Sequence, residues 1–204
     1  MAILQGLKAC EVTMDPQTFQ QFRDALLNRH RFAMAGLLQS LSADEVKVAV
    51  GTLLSGMLVG PEIDPTDVLC AGDIADRMPD MRAHAIVIYD VALQHMYDNR
   101  QSIASDTDCA AASLNLIDLS RKQGDRVLWL RAIRRAAVMP IKRADQKVHI
   151  AWWLHEANED LAAYLLFSQG IEGGRSTVAT EMGLPEAELI QMEHLLEQRA
   201  LHAR

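Results

Sequence analysis

Aromatic residues are scarce in this chain, at 5% of 204 residues, and cysteine is scarcer still, at three. Strands draw on β-branched and aromatic side chains, whereas Ala, Leu, Met, Glu, Gln and Arg favour helix. With ten methionines and abundant Ala and Leu, the composition leans to helix. Cys10, Cys70 and Cys109 are odd in number and widely spaced, which argues against a disulfide framework and against a zinc ribbon. Each reads as a small buried hydrophobe in a reducing compartment.

Long apolar runs are missing too. The uncharged run Val48 to Gly60 has 13 residues and includes three glycines, a threonine and a serine. Spanning a bilayer takes roughly 20 apolar residues. Met1 to Met14 lacks the charged start, apolar run and small-residue cleavage site of a secretory leader. The expectation is a soluble cytoplasmic protein with no membrane partner, half of whose residues are apolar and able to fill a normal core.

Basic residues are few overall, and the net charge is −7. They are also unevenly placed. Between Arg121 and Lys147 stand nine basic residues (Arg121, Lys122, Arg126, Arg131, Arg134, Arg135, Lys142, Arg143 and Lys147) against Asp125 and Asp145. That segment carries +7, which leaves −14 on the rest. Such asymmetry points to a local anion-binding surface on an acidic protein.

Helix signals recur along the chain. Asp15-Pro16 is an N-cap followed by proline at the first helical position, and the helix it opens is predicted to run to about Leu41. Ser42 and Glu45 have the spacing of a capping box, with Val46, Val50, Leu53 and Met57 following at helical spacing before Gly60-Pro61. Asp64-Pro65 opens another helix, interrupted at Pro79. Asp80 to Asn99 reads as a helix carrying His84 and His95 on one face, as half-buried histidines or as an interface pair that could respond to pH. Ser105 with Asp108 caps the next, which Gly124 stops, and a short basic helix ends before Pro140. A long apolar-rich helix is predicted from Ala144 to Ser168, broken by Gly170, Gly173 and Gly174, and two short helices close the chain. Before Asp15, Cys10, Val12 and Met14 alternate as in a strand. The sum is an all-α bundle of about nine mostly amphipathic helices. The glycine cluster is the plausible boundary, between a helical bundle over residues 1–169 and a hinge with a C-terminal unit over 170–204, unless both pack as a single domain.

Residues 175–194, RSTVATEMGLPEAELIQMEH, match a helix-turn-helix-like hairpin. Ala179 is the small residue where helices cross, and Gly183, four later, allows the positive φ of a tight turn. Val178, Met182, Leu184, Leu189 and Met192 fall at packing offsets. Ser176 or Thr177 can cap the first helix, and Pro185 suits the first turn of the second. The outward side of that second helix would carry Glu186, Ala187, Ile190, Gln191 and His194, with Glu188 and Glu193 nearby. Gln191 is the evident base reader there, while the acidic residues would face phosphate repulsion. Ile190 and His194 suit a protein contact better.

In the basic segment, Arg131, Arg134 and Arg135 fall within about one helical turn. A guanidinium cluster can hold phosphates bidentately or meet an acidic partner helix. With Arg126, Lys142, Arg143 and Gln191 it forms the candidate nucleic-acid surface. The plainer reading is that these arginines pair with the chain's own 27 carboxylates.

Catalytic signals are poor. His155 and Glu159 stand i, i+4, as metal ligands on a helix often do, but no second helix carries matching ligand spacing. They read as a surface pair, with His149 nearby. The run GIEGGRST fails as a phosphate loop, because Arg175 stands where the second glycine belongs and a helix precedes it. No metal or cofactor is expected, and the sequence leans away from an enzyme. The leading expectation is a regulatory protein that binds nucleic acid through the basic helix and the C-terminal hairpin. The alternative is a non-enzymatic interaction module or scaffold, for which a helical homodimer is one form, with Ile190 and Leu195 or Leu196 as anchors. A helical enzyme or metal-binding protein around His149, His155 and Glu159 ranks third.

Overall fold

The computed structural model describes residues 14–55, 63–99, 106–139 and 141–203. Eleven helices account for most of them: α1 (Pro16–Leu27), α2 (Arg31–Ser40), α3 (Ala43–Leu54), α4 (Pro65–Asp76), α5 (Arg82–Asp98), α6 (Asp106–Gln123), α7 (Arg126–Val138), α8 (Ala144–Glu156), α9 (Asp160–Ile171), α10 (Arg175–Met182) and α11 (Glu186–His202). No strand occurs among the described residues. The alternation of Cys10 and Val12, Met57, the Gly60-Pro61 stop and the Ser105 cap lie outside them. The chain divides into two compact units, Met1–Ala92 and Leu93–Arg204, and the division falls within α5.

The count of eleven replaces the expected nine because two long helices are each broken by a residue in the left-handed region. The predicted helix to Leu41 ends at Leu27, where Arg29 has φ +50° and the His30 N–H donates to the Ala25 carbonyl at 2.9 Å. The predicted helix from Ala144 to Ser168 ends at Glu156, where Asn158 has φ +63° and the Glu159 N–H donates to the Leu154 carbonyl at 2.9 Å. These are helix-terminating turns of the type usually made by glycine. With Arg and Asn in that place they carry no glycine or proline signal. The last helix is also longer than expected, at 17 residues.

In the first unit the helix starts are set by local chemistry. The Asp15 carboxylate accepts from the Thr18 N–H at 2.9 Å with Pro16 behind it, and the Asp64 carboxylate accepts from the Thr66 N–H at 2.8 Å with Pro65 behind it. Ser42 and Glu45 close the full capping box at α3. Phe22, Met34, Leu38, Val46, Val50, Val68, Ile88 and Tyr89 are buried as its core. His84 is buried rather than half-buried, its Nε2–H donating to the Leu41 carbonyl at 2.7 Å. Cys70 is exposed, contrary to its reading as a buried hydrophobe, whereas Cys109 in the second unit is buried. Cys10 lies outside the described residues.

The capping box carries a pH dependence. The Ser42 backbone N–H, and then its hydroxyl, donate to Glu45 and hold that carboxyl below its ordinary range. A carboxylate whose pKa is depressed by folding contributes stability above its unfolded value and loses it as pH falls through the folded one. Glu45→Gln is therefore expected to flatten the loss of stability below about pH 4. Urea melts at pH 7 and pH 3 check this, and an unchanged difference between the two pH values would refute it.

In the second unit, α6 packs on α7, α8 packs closely on α9, α11 lies along α9, and α10 touches α8, α9 and α11. Leu116, Ile117, Ile133, Val148, Ile150, Phe167, Leu189 and Leu196 are fully buried there. Gly170 lies inside α9 and not at its cap. A Cβ there would stand 2.9 Å from Val148 Cγ2 and 3.2 Å from the Ala144 carbonyl oxygen, so its bareness lets α8 and α9 approach. Among the described residues, no helix is long and apolar enough to cross a membrane.

Candidate functional site

The basic segment becomes α7 with its flanks. The Asp125 carboxylate caps the helix by accepting from the Leu128 N–H at 2.9 Å. From there the apolar spacing turns one face inward, burying Leu128, Trp129, Ala132, Ile133 and Ala136. At 100° per residue this leaves Val127, Arg131, Arg134 and Val138 along the outward face. Val127 is 76% exposed and Val138 62%. The three clustered arginines are thereby separated. Arg131 and Arg134 point to solvent, while Arg135, a further 100° round, is buried beside Ala132 and Ala136.

Several of the cations are held by carboxylates of the same unit. Arg121 pairs with Glu156 at 3.2 Å and Lys122 with Asp118 at 2.5 Å. Arg134 Nε donates to Glu159 Oε1 at 3.0 Å, and its Nη2 donates to the same oxygen. Arg143 binds Asp145 through two bonds of 3.0 and 2.6 Å. Burial pushes the Asp145 carboxyl up, but the Arg143 hydrogen bonds and charge outweigh it and leave the group below the ordinary carboxylate range. The same bonds raise the Arg143 guanidinium. Arg126, Arg131, Lys142 and Arg143 are all exposed. The surface is thus a lattice of partly screened ion pairs, each worth little by itself.

The break after α8 also rewrites the histidine pair. Because the helix stops at Glu156, His155 and Glu159 do not share a helical face. His155 Nδ1 instead meets Asp160 Oδ1 at 2.6 Å, and Glu159 goes to Arg134. The His149 Nδ1–H donates to the Asp145 carbonyl at 3.0 Å. Among the described residues, no three His, Cys, Asp or Glu side chains gather where they could hold a metal ion. A solvent-open cleft between α1 and α2, lined by Gln21, Asp24, Asn28 and His30 among others, gathers no nucleophile beside a base.

At the C-terminal end, α10 starts at Arg175 with Gly174 as N-cap at φ +116°, so Ser176 and Thr177 lie inside the helix instead of capping it. Gly183, at φ +68°, ends α10, and α11 follows from Glu186. Val178, Ala179 and Leu189 are buried; Met182, Leu184 and Met192 are half-buried. Arg175 clasps Glu193 through two 2.8 Å bonds. Outward on α11 stand Glu186, Ala187, Ile190, Gln191, His194 and Glu197, with Leu201 61% exposed. The residue that sequence reasoning passed over is Val127. The four-three-four spacing of Val127 and Val138 with Arg131 and Arg134 is the signal in the sequence that places them with the arginines.

No protein-family model, no curated protein and no solved structure matches the chain.

Proposed function

We propose that this chain is a non-enzymatic protein–protein interaction module, docking an acidic amphipathic helix along the outward seam of α7. The observation that carries this is the stripe Val127, Arg131, Arg134, Val138, in which two strongly exposed valines bracket two arginines. Positions spaced four, three and four apart form the a/d seam by which one helix receives another. Exposed β-branched residues at both ends supply apolar anchors, and the arginines between them select a partner rich in Glu or Asp. A phosphate-binding face gains nothing from two solvated valines. The carboxylates of Glu156 and Asp145 further screen Arg121 and Arg143, which such a face would use.

The second reading is the nucleic-acid-binding regulator. It rests on the exposure of Arg126, Arg131 and Lys142 within the +7 segment and of Gln191 on α11. Fluorescence anisotropy of the full chain separates the two. The probes are labelled duplex DNA, labelled single-stranded RNA, and a labelled synthetic helix with Leu at a and d and Glu flanking them. The expected result is binding of the helix, weakened at least tenfold by Val127→Ser with Val138→Ser, and no binding of either nucleic acid. Nucleic-acid binding that falls linearly in log salt, and is lost in Arg131→Ala with Arg134→Ala, would overturn the module in favour of the regulator.

A further inference from the structure

The outward stripe of α7 is already engaged at one point by the chain itself. Arg134 directs Nε and Nη2 to a single oxygen, Glu159 Oε1, the first bond at 3.0 Å. Glu159 comes from the turn between α8 and α9, where Asn158 has φ +63° and Glu159 stands as the N-cap of α9. Its side chain makes no capping bond. The turn is held instead by backbone, the Glu159 N–H donating to the Leu154 carbonyl and the Ala163 N–H to the Glu159 carbonyl, both at 2.9 Å. The carboxylate therefore has no part in starting α9 and is committed to α7. The Arg134 side chain is 63% exposed and that of Glu159 33%. Rotation of a side chain at such a site leaves the backbone in place.

We infer that Glu159 is an intramolecular competitor for the acidic partner helix, an autoinhibitory contact that a carboxylate of the partner must displace. The inference rests on the interaction-module reading and adds the regulation of that site. An acidic helix lying along Val127, Arg131, Arg134 and Val138 brings its own carboxylate to the guanidinium that Glu159 holds. Two carboxylates then compete for one fork of donors, and their like charges repel. The apparent affinity is the intrinsic affinity reduced by the fraction of molecules in which Arg134 is released. Because the internal pair is partly exposed, that reduction is small enough for a partner to overcome. The contact also selects. A partner with no carboxylate at this place leaves Glu159 where it is and gains nothing from the arginine. Glu156 gives the contrast: it pairs with Arg121 of α6 at 3.2 Å, off the stripe.

The test is the anisotropy titration of the full chain with the Glu-flanked synthetic helix, and with a second helix in which Gln replaces those Glu residues. Circular dichroism checks that each variant stays folded. Glu159→Gln is expected to bind the Glu-flanked helix about fivefold more tightly than the wild-type chain, the upper end for a partly exposed ion pair. Glu156→Gln removes the same charge from a pair off the stripe and should stay within about twofold. Arg134→Ala should weaken binding, and adding Glu159→Gln to it should bring no gain, because the two side chains act through one contact. The Gln-flanked helix should bind the wild-type chain and Glu159→Gln alike. Binding seen in Glu159→Gln and absent from the wild-type chain is the same result at larger amplitude. Three results overturn the inference while the module stands: a gain in Glu159→Gln no larger than that in Glu156→Gln, a gain that persists in the Arg134→Ala background, or an equal gain with the Gln-flanked helix. If neither the wild-type chain nor Glu159→Gln binds the Glu-flanked helix, the module and its competitor fall together.

Discussion

Phe167→Ala is expected to destabilise the second unit by about 3–5 kcal/mol, the range for truncating a buried aromatic residue. Phe167 is fully buried on α9, the helix that packs on both α8 and α11. Neither neighbour can collapse freely into the space. Gly170, one turn further on, leaves no room even for a Cβ, which would stand 2.9 Å from Val148 Cγ2 and 3.2 Å from the Ala144 carbonyl oxygen. Leu165→Ala on the same helix is the control. Leu165 is 54% exposed, and its loss should move stability by no more than about 0.5 kcal/mol. Urea denaturation followed by circular dichroism reads both. A loss below about 1 kcal/mol in Phe167→Ala would mean that α9 does not bear this packing.

The second prediction sets two glycines against each other. Helical glycine is ordinarily less stable than alanine by about 0.5–1 kcal/mol, so glycine to alanine should stabilise. Gly36 on α2 follows that rule, having no described atom within 4 Å of an added Cβ. Gly72 on α4 reverses it. There a Cβ would lie 2.5 Å from Tyr89 Cε1 and 2.8 Å from Cδ1. The Tyr89 ring is fully buried, and its hydroxyl donates to Asp73 Oδ1 at 2.5 Å, so it cannot swing aside. Overpacking of this kind costs about 1–3 kcal/mol. Gly72→Ala is expected to lower the denaturation midpoint, Gly36→Ala to raise it, and Tyr89→Leu to make a second Gly72→Ala change nearly neutral. A stabilising Gly72→Ala in the wild-type background would show that α4 and α5 do not approach so closely.

The α7 seam changes what the charge asymmetry means. On a flat count the segment from Arg121 to Lys147 is a phosphate-binding surface. In three dimensions Arg121, Arg134 and Arg143 are met by Glu156, Glu159 and Asp145, and Arg135 turns inward. What remains outward is the mixed stripe of Val127, Arg131, Arg134 and Val138, on which the proposed helix contact rests.

The fold class was decided by the sequence alone, because helix propensity, capping residues and apolar spacing are properties of neighbours within a turn. Asp15-Pro16, Ser42 with Glu45, and Asp64-Pro65 each start a helix by bonds to residues two or three positions on. The breaks at Arg29 and Asn158 were not legible, since left-handed backbone at a non-glycine residue is sustained by the packing of the helices on either side. The pairings of Arg134 with Glu159 and of His155 with Asp160 follow from that break and were hidden with it. Whether Gly170 was a hinge or a packing notch also depended on what stood opposite it, Val148 and the Ala144 carbonyl. The order of the arginines fixed their angles around α7, and only the tertiary structure decided which of those angles faced water. A helix's own sequence sets the angles between its side chains, but its neighbours set which of them are buried.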